Sequence, residues 1–116
     1  MQSRMVEIDL ETLLKIAGKP YQGPNYTAKR RKLTKMLKQI LTKHLSEKAS
    51  QVISIFTTSR GFKSSEELLK YGSKAFENTV NGIIAVCRAI AELDDDRERE
   101  LRKDILEAVI EVKNDP

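Results

Sequence analysis

The fold is decided by residues 29–45, KRRKLTKMLKQILTKHL. Apolar side chains recur there at intervals of three and four residues: Leu33, Met36, Leu37, Ile40, Leu41 and Leu45. This spacing is typical of a helix that turns one face toward a core. We therefore predict a helix from about Thr27 to about Ser46.

A shorter helix and a loop are predicted before this stretch. Asp9 is a suitable N-cap, apolar residues follow it at helical spacing, and Gly18 is a suitable end. Residues 18–26 contain two Gly and two Pro, a composition that predicts a loop.

Further helices are predicted after Ser46. The segment 52–58, VISIFTT, is rich in β-branched residues, but no partner strand is evident, so we predict helix there as well. Asp94, Asp95 and Asp96 supply an N-cap and favourable negative charge for a final helix.

The clearest apolar stripe belongs to a long helix predicted over residues 65–93. Ser64 followed three residues later by Glu67 forms a capping box, which predicts its start. The predicted helix also carries Gly72, Ala75 and Gly82, small residues that would let another helix approach closely. Gly82 is also a candidate for a break or kink.

Together these patterns predict an all-α fold, a compact bundle of four to five helices in one domain over residues 1–116. No apolar run approaches the ~20 residues of a membrane span, and no signal peptide is evident. The single cysteine, Cys87, lies in an apolar run, which predicts a buried structural thiol in a reducing compartment. We expect a cytoplasmic protein.

Positive charge is concentrated in the first half of the chain. Residues 18–63 carry eleven Lys and Arg against Glu47 alone, a net charge of +10 in a chain whose total is +4. At about 100° per residue, most cations of the helix fall opposite its apolar face. Lys29 and Arg30 instead lie over the apolar arc, where their place in the first turn is expected to let them splay outward. Seven residues are candidates for phosphate contacts: Lys29, Arg30, Arg31, Lys32, Lys35, Lys38 and Lys43.

Cations at the N-terminus of a helix oppose the helix dipole. Lys29, Arg30, Arg31 and Lys32 therefore break a local rule without visible compensation, which indicates a functional site. The alternatives are a solvated helix face, an acidic protein partner and an anionic membrane surface.

Several other residues are candidates with competing interpretations. Tyr21 and Tyr26 precede the basic helix and could stack on unpaired bases, or could pack against the core. Arg60 and Lys63, in a hydroxyl-rich segment, could hold a phosphate, but Glu66 and Glu67 would repel an anion, which favours ordinary capping of the next helix. His44, the only histidine, is predicted to be a satisfied core or interface residue. We predict no metal, no cofactor and no enzymatic activity, because no catalytic or ligand-binding motif has the required spacing.

The basic helix 29–43 and the Gly- and Ala-bearing helix 65–93 resemble, in architecture, the small α-helical subunits of class 1 CRISPR surveillance complexes. That resemblance implies copies arranged along a backbone and contacts to target-strand phosphates. Virion DNA-wrapping proteins of archaeal filamentous viruses are similar in the same respects. The function expected is sequence-nonspecific nucleic-acid binding, DNA or RNA, within a larger assembly. The alternative is a protein–protein adaptor that docks an acidic partner.

The last segment adds an expectation about assembly. Residues 94–116 carry a net charge of −4, opposite in sign to residues 18–63. We expect this acidic end of one copy to contact the basic region of the next, or of a larger subunit, in a head-to-tail arrangement.

Overall fold

A computed structural model describes residues 8–58 and 61–115. Within these ranges the chain forms six α-helices, one 3-10 turn and one two-stranded hairpin. Their bounds are α1 Leu10–Ala17, α2 Tyr26–Leu45, the 3-10 turn Ser46–Lys48, α3 Ala49–Phe56, β1 Thr57–Thr58, β2 Gly61–Phe62, α4 Lys63–Lys70, α5 Ser73–Ala91 and α6 Asp95–Asn114. The predicted all-α bundle is confirmed.

The last helix, α6, is the centre of the bundle. It packs against α1, α2 and α5, and α2 in turn packs against α3 and α4. The periodic leucines of α2 lie on its inner side, where Leu33, Leu37 and Leu41 are fully buried. They share one core cluster with the inner face of α6. Burial of such side chains contributes about 1.5–3 kcal/mol each, which is why the apolar spacing predicted these helices well.

The predicted ends of the first and last helices are confirmed. The Asp9 side chain accepts a hydrogen bond of 2.8 Å from the Thr12 N–H, and Gly18 follows the last residue of α1. The Asp94 side chain likewise accepts a 2.8 Å bond from the Arg97 N–H at the start of α6. These bonds satisfy N–H groups that have no partner within their helix.

The segment 52–58 is only partly the predicted helix. Helix α3 ends at Phe56, and Thr57 and Thr58 pair with Phe62 and Gly61 in the antiparallel hairpin. The partner strand was not evident because it is only two residues long. Gly61 has φ +108°, a conformation that favours glycine.

The predicted long helix over 65–93 is wrong, because it is two helices, α4 and α5. Helix α4 begins at Lys63 with Phe62 in the N-cap position, so Ser64 lies within the first turn and is not the N-cap. Helix α4 ends at Lys70, where the Leu69 carbonyl accepts a 2.7 Å hydrogen bond from the Tyr21 N–H of the 18–26 loop. That carbonyl would bond residue 73 if the helix continued. The end of α4 therefore coincides with a hydrogen bond to the 18–26 loop, which is distant in sequence.

Gly82 does not serve the close helix packing that its position suggested. It lies inside α5 without a break, and a Cβ added to it would meet no atom of the described residues within 4 Å. Among residues 8–58 and 61–115, nothing packs against this glycine closely enough to require it.

Gly82→Ala should therefore raise the free energy of unfolding by about 0.5–1 kcal/mol in dilute solution, because alanine is the better helix former. Chemical denaturation monitored by circular dichroism measures this change. Gly61→Ala is the contrasting variant and should lower stability, since alanine rarely adopts its positive φ. A loss of stability in Gly82→Ala would show that the site is already closed by another part of the chain.

Lys113, in the last turn of α6, caps the C-terminus of α1. Its ammonium donates to the carbonyl oxygens of Ala17 and Lys19, each at 2.5 Å. It also lies 5.2 Å from the centre of the Phe76 ring. Carbonyls at a helix C-terminus attract cations, so this lysine joins α1 to α6. Burial lowers the pKa of Lys113 from 10.5 to about 8.

The lowered pKa gives stability a pH dependence of known sign. Between about pH 8 and pH 10.5 the unfolded chain holds a proton on Lys113 that the folded chain has lost, so stability rises with pH in this window. We expect the free energy of unfolding of the wild type, relative to that of Lys113→Met, to increase from about pH 7 to about pH 10. Urea titrations of both proteins at each pH measure the difference between their free energies of unfolding, in which the contributions of the other titrating groups cancel. A constant or falling difference would contradict the assignment.

Candidate nucleic-acid interface

Helix α2 lies antiparallel to α6, so its N-terminus meets the C-terminus of α6. Lys29, in the first turn of α2, is 6% exposed. Its ammonium donates a 2.8 Å hydrogen bond to the Val112 carbonyl and a second bond to the Asp115 carbonyl. The Tyr21 ring lies beside it, with the ring centre 5.3 Å from the nitrogen.

The expectation that Lys29 splays outward to meet phosphate is therefore wrong. A buried ammonium is stable only when partners replace its water, and the last carbonyls of α6 supply them. The position of Lys29 over the apolar arc of the helix was the feature of the sequence that indicated burial. An inward orientation of Lys29 could not be predicted, because its hydrogen-bond partners lie more than eighty residues later in the sequence.

Because α2 begins at Tyr26, Lys32 lies in its second turn, and it is the second cation that α6 compensates. Its ammonium lies 2.6 Å from a carboxylate oxygen of Asp115. This contact raises the pKa of Lys32 and lowers the pKa of Asp115. Both side chains are about two-fifths exposed, so the pair contributes little to stability. Lys29 and Lys32 of the run 29–32 thus have partners at the C-terminal end of α6.

Arg30 also points away from the outer face of α2. It is half-buried, and a Cβ added to Gly61 would lie 3.3 Å from its Nη1 atom. Arg30 is therefore directed toward the hairpin. Arg60, another predicted phosphate contact, lies outside the described residues.

Three cations remain together on the outer face of α2. Arg31, Lys35 and Lys38 are exposed and follow one another at intervals of four and three residues. They span about 10 Å along the helix axis. None of them is in an ion pair with a carboxylate in the described part of the chain. We call these three residues the basic stripe.

Two further predicted cations lie apart from the basic stripe. Lys43 is exposed further along α2, and its ammonium is 3.6 Å from a carboxylate oxygen of Asp104. Lys63 is exposed on α4, where it lines a groove between α3 and α5. The structure thus brings together fewer cations than the sequence suggested.

The two tyrosines pack against the core, one of the two interpretations that the sequence left open. Both are half-buried against the core. The Tyr21 hydroxyl donates to the Pro24 carbonyl, which folds the loop back on itself. The Tyr26 hydroxyl is 3.5 Å from the Glu66 carbonyl, and burial, followed by the charge of Glu66, raises its pKa. Of the two interpretations, packing against the core describes both rings.

The remaining reactive side chains are satisfied or buried. His44 is buried, with Nε2 2.7 Å from a carboxylate oxygen of Asp104, as predicted for a satisfied histidine. Cys87 is fully buried, also as predicted, and burial raises the pKa of its thiol to about 11. Among residues 8–58 and 61–115, no three His, Cys, Asp or Glu side chains are grouped as a metal site. In the same ranges, no helix has the length and hydropathy needed to traverse a bilayer.

Comparison with protein-family models, with curated proteins and with solved structures finds no match for this chain.

Lys29 and Lys35 should respond differently to the same substitution. Lys29→Met keeps most of the side-chain volume but leaves the last carbonyls of α6 without their donor, and should cost about 1–3 kcal/mol of stability. Lys35→Met removes an exposed cation and should change stability by less than about 0.5 kcal/mol. Urea denaturation of the two variants measures the contrast. Equal losses would mean that Lys29 has no special structural role.

Proposed function

We propose that this protein binds nucleic acid through the phosphate backbone, without sequence preference and without catalysis, as a subunit of a larger nucleoprotein assembly. The observation that carries the proposal is the basic stripe. Its three exposed cations lie on one rigid helix, free of acidic neighbours in ion-pair contact. Phosphate contacts by Lys and Arg supply most of the affinity of nonspecific nucleic-acid binding.

The surroundings of α2 favour backbone contact over base reading. A recognition helix must project far enough to enter a major groove. Helix α2 instead has α6 on one side and α4 on another, and only its outer face is available. A flat cationic face of this kind suits the outside of a duplex or the backbone of a single strand.

The acidic neighbour α6 restricts where a polyanion can lie. Glu107 and Glu111 of α6 line a groove beside α2, on the wall opposite Met36 and Lys43. Their carboxylates would repel phosphates placed over that groove. A strand bound to the basic stripe should therefore run along the side of α2 that faces away from α6.

The same features support the biological setting that we propose. A small helical subunit with one basic face suits the role of the small subunits of class 1 CRISPR surveillance complexes, or a DNA-wrapping role. We place the protein in the cytoplasm, with DNA or RNA as its partner.

The test reverses the charge of the stripe in the triple variant Arg31→Glu, Lys35→Glu, Lys38→Glu. A matched control reverses Lys74, Arg99 and Lys103, exposed cations on other helices, so that the net charge changes equally. Fluorescence anisotropy with oligonucleotides of two unrelated sequences measures binding. We expect the stripe variant to lose more than about tenfold in affinity and the control to lose much less.

The salt dependence supplies a second, independent criterion. Three phosphate contacts give a slope of log affinity against log salt of about −2.7 on duplex DNA and about −2 on a single strand. Binding that prefers one base sequence, or that is equally weakened in both triple variants, would contradict the proposal. Binding of an acidic polypeptide in place of nucleic acid would favour the adaptor alternative.

A further inference from the structure

A groove of about 460 Å³ lies on a part of the surface that the proposed function does not use. One wall is α3, with Ile55 and Phe56, and the other wall is α5, with Ala75, Thr79 and Gly82. Lys63 and Glu67 of α4 also line it. The groove therefore combines an apolar side, a wall of small residues and one charge of each sign.

The groove has a protruding residue and a hollow on the same face. Ile55 is 58% exposed, more than any other large apolar side chain in the described ranges. No atom of the described part of the chain lies within 4 Å of a Cβ added at Gly82, although alanine there would make a better helix. Both features are unfavourable in an isolated chain, and both are relieved if an apolar side chain from outside occupies the hollow.

We propose that this groove is the contact between two copies of the chain, related by a two-fold axis, with Ile55 of each copy seated against Gly82 of the other. A two-fold contact uses the same surface twice, so a protrusion and a hollow on one face are complementary to a second copy of that face. No additional partner is needed to fill the groove.

The charges in the groove favour a second copy over an unrelated peptide. Lys63 and Glu67 are one helical turn apart, and no ion pair joins them within the chain. The two-fold axis pairs Lys63 of one copy with Glu67 of the other, twice. A purely acidic or purely basic ligand would leave one of the two charges opposed.

The ion pairs within the chain leave a head-to-tail contact fewer free carboxylates than the charge count of residues 94–116 suggested. Glu98, Glu100, Asp104 and Asp115 are already in ion pairs within the chain, so they are less available to a neighbouring copy. The groove is lined by residues of α3, α4 and α5, whereas the basic stripe lies on α2, so the two surfaces share no residue. A pair formed through the groove therefore leaves both stripes exposed.

Sedimentation equilibrium without nucleic acid tests the pair directly. We expect reversible dimers whose dissociation constant rises about 100-fold or more in Ile55→Lys, because the substitution removes the burial of two Ile side chains, one from each copy. Gly82→Leu fills the hollow and should also abolish or strongly weaken the dimer. Ala28→Leu, at an exposed position of α2, is the control and should have no effect. Circular dichroism confirms that each variant is folded.

Charge exchange distinguishes the proposed geometry from any other contact. Lys63→Glu and Glu67→Lys should each weaken the dimer, and the double variant should restore it, because the reciprocal pairs re-form with reversed sign. A wild-type monomer at millimolar concentration, or a dimer insensitive to Ile55→Lys and Gly82→Leu, would overturn the proposal. Neither result bears on the stripe, because nucleic acid is absent from the measurement.

Discussion

The structure depends on the contact between the N-terminus of α2 and the C-terminus of α6. The Lys29 ammonium occupies this junction, bonded to the last carbonyls of α6 and covered by the Tyr21 ring. Removing a charge from water is costly, so the site tolerates only an arrangement in which those carbonyls are in place. The contact consequently fixes the register of the two longest helices, and Leu33, Leu37 and Leu41 then fall against the inner face of α6.

The helices were predictable wherever a continuous apolar face decided them. The sequence could not show where tertiary contacts override local preference. The Leu69 carbonyl bonds the Tyr21 N–H, and α4 ends there instead of continuing into α5. Thr57 and Thr58 join a hairpin because their partners follow only a few residues later. In each case the deciding partner is a backbone group, which a side-chain pattern does not reveal.

The positive charge of the candidate site and its location on α2 were predictable, but the set of cations that belong to it was not. A charge count and a helical wheel identify α2 as the basic helix. They cannot show that Val112 and Asp115 lie beside Lys29 and Lys32, 83 residues away in sequence. Only Arg31, Lys35 and Lys38 keep the free outward position that the sequence suggested for all seven cations of the helix.

The same side-chain chemistry therefore has different roles in one small chain, and the packing partner decides which. Lys29 and Lys113 are placed at helix C-termini, where carbonyl groups and aromatic rings replace water. Lys32 and Lys43 pair with carboxylates of α6. These contacts also indicate a role within the fold for the acidic residues of the last segment, because their carboxylates lower the repulsion among the cations of α2. What remains uncompensated on α2 is the basic stripe, and uncompensated charge on a rigid surface is what a polyanion can use.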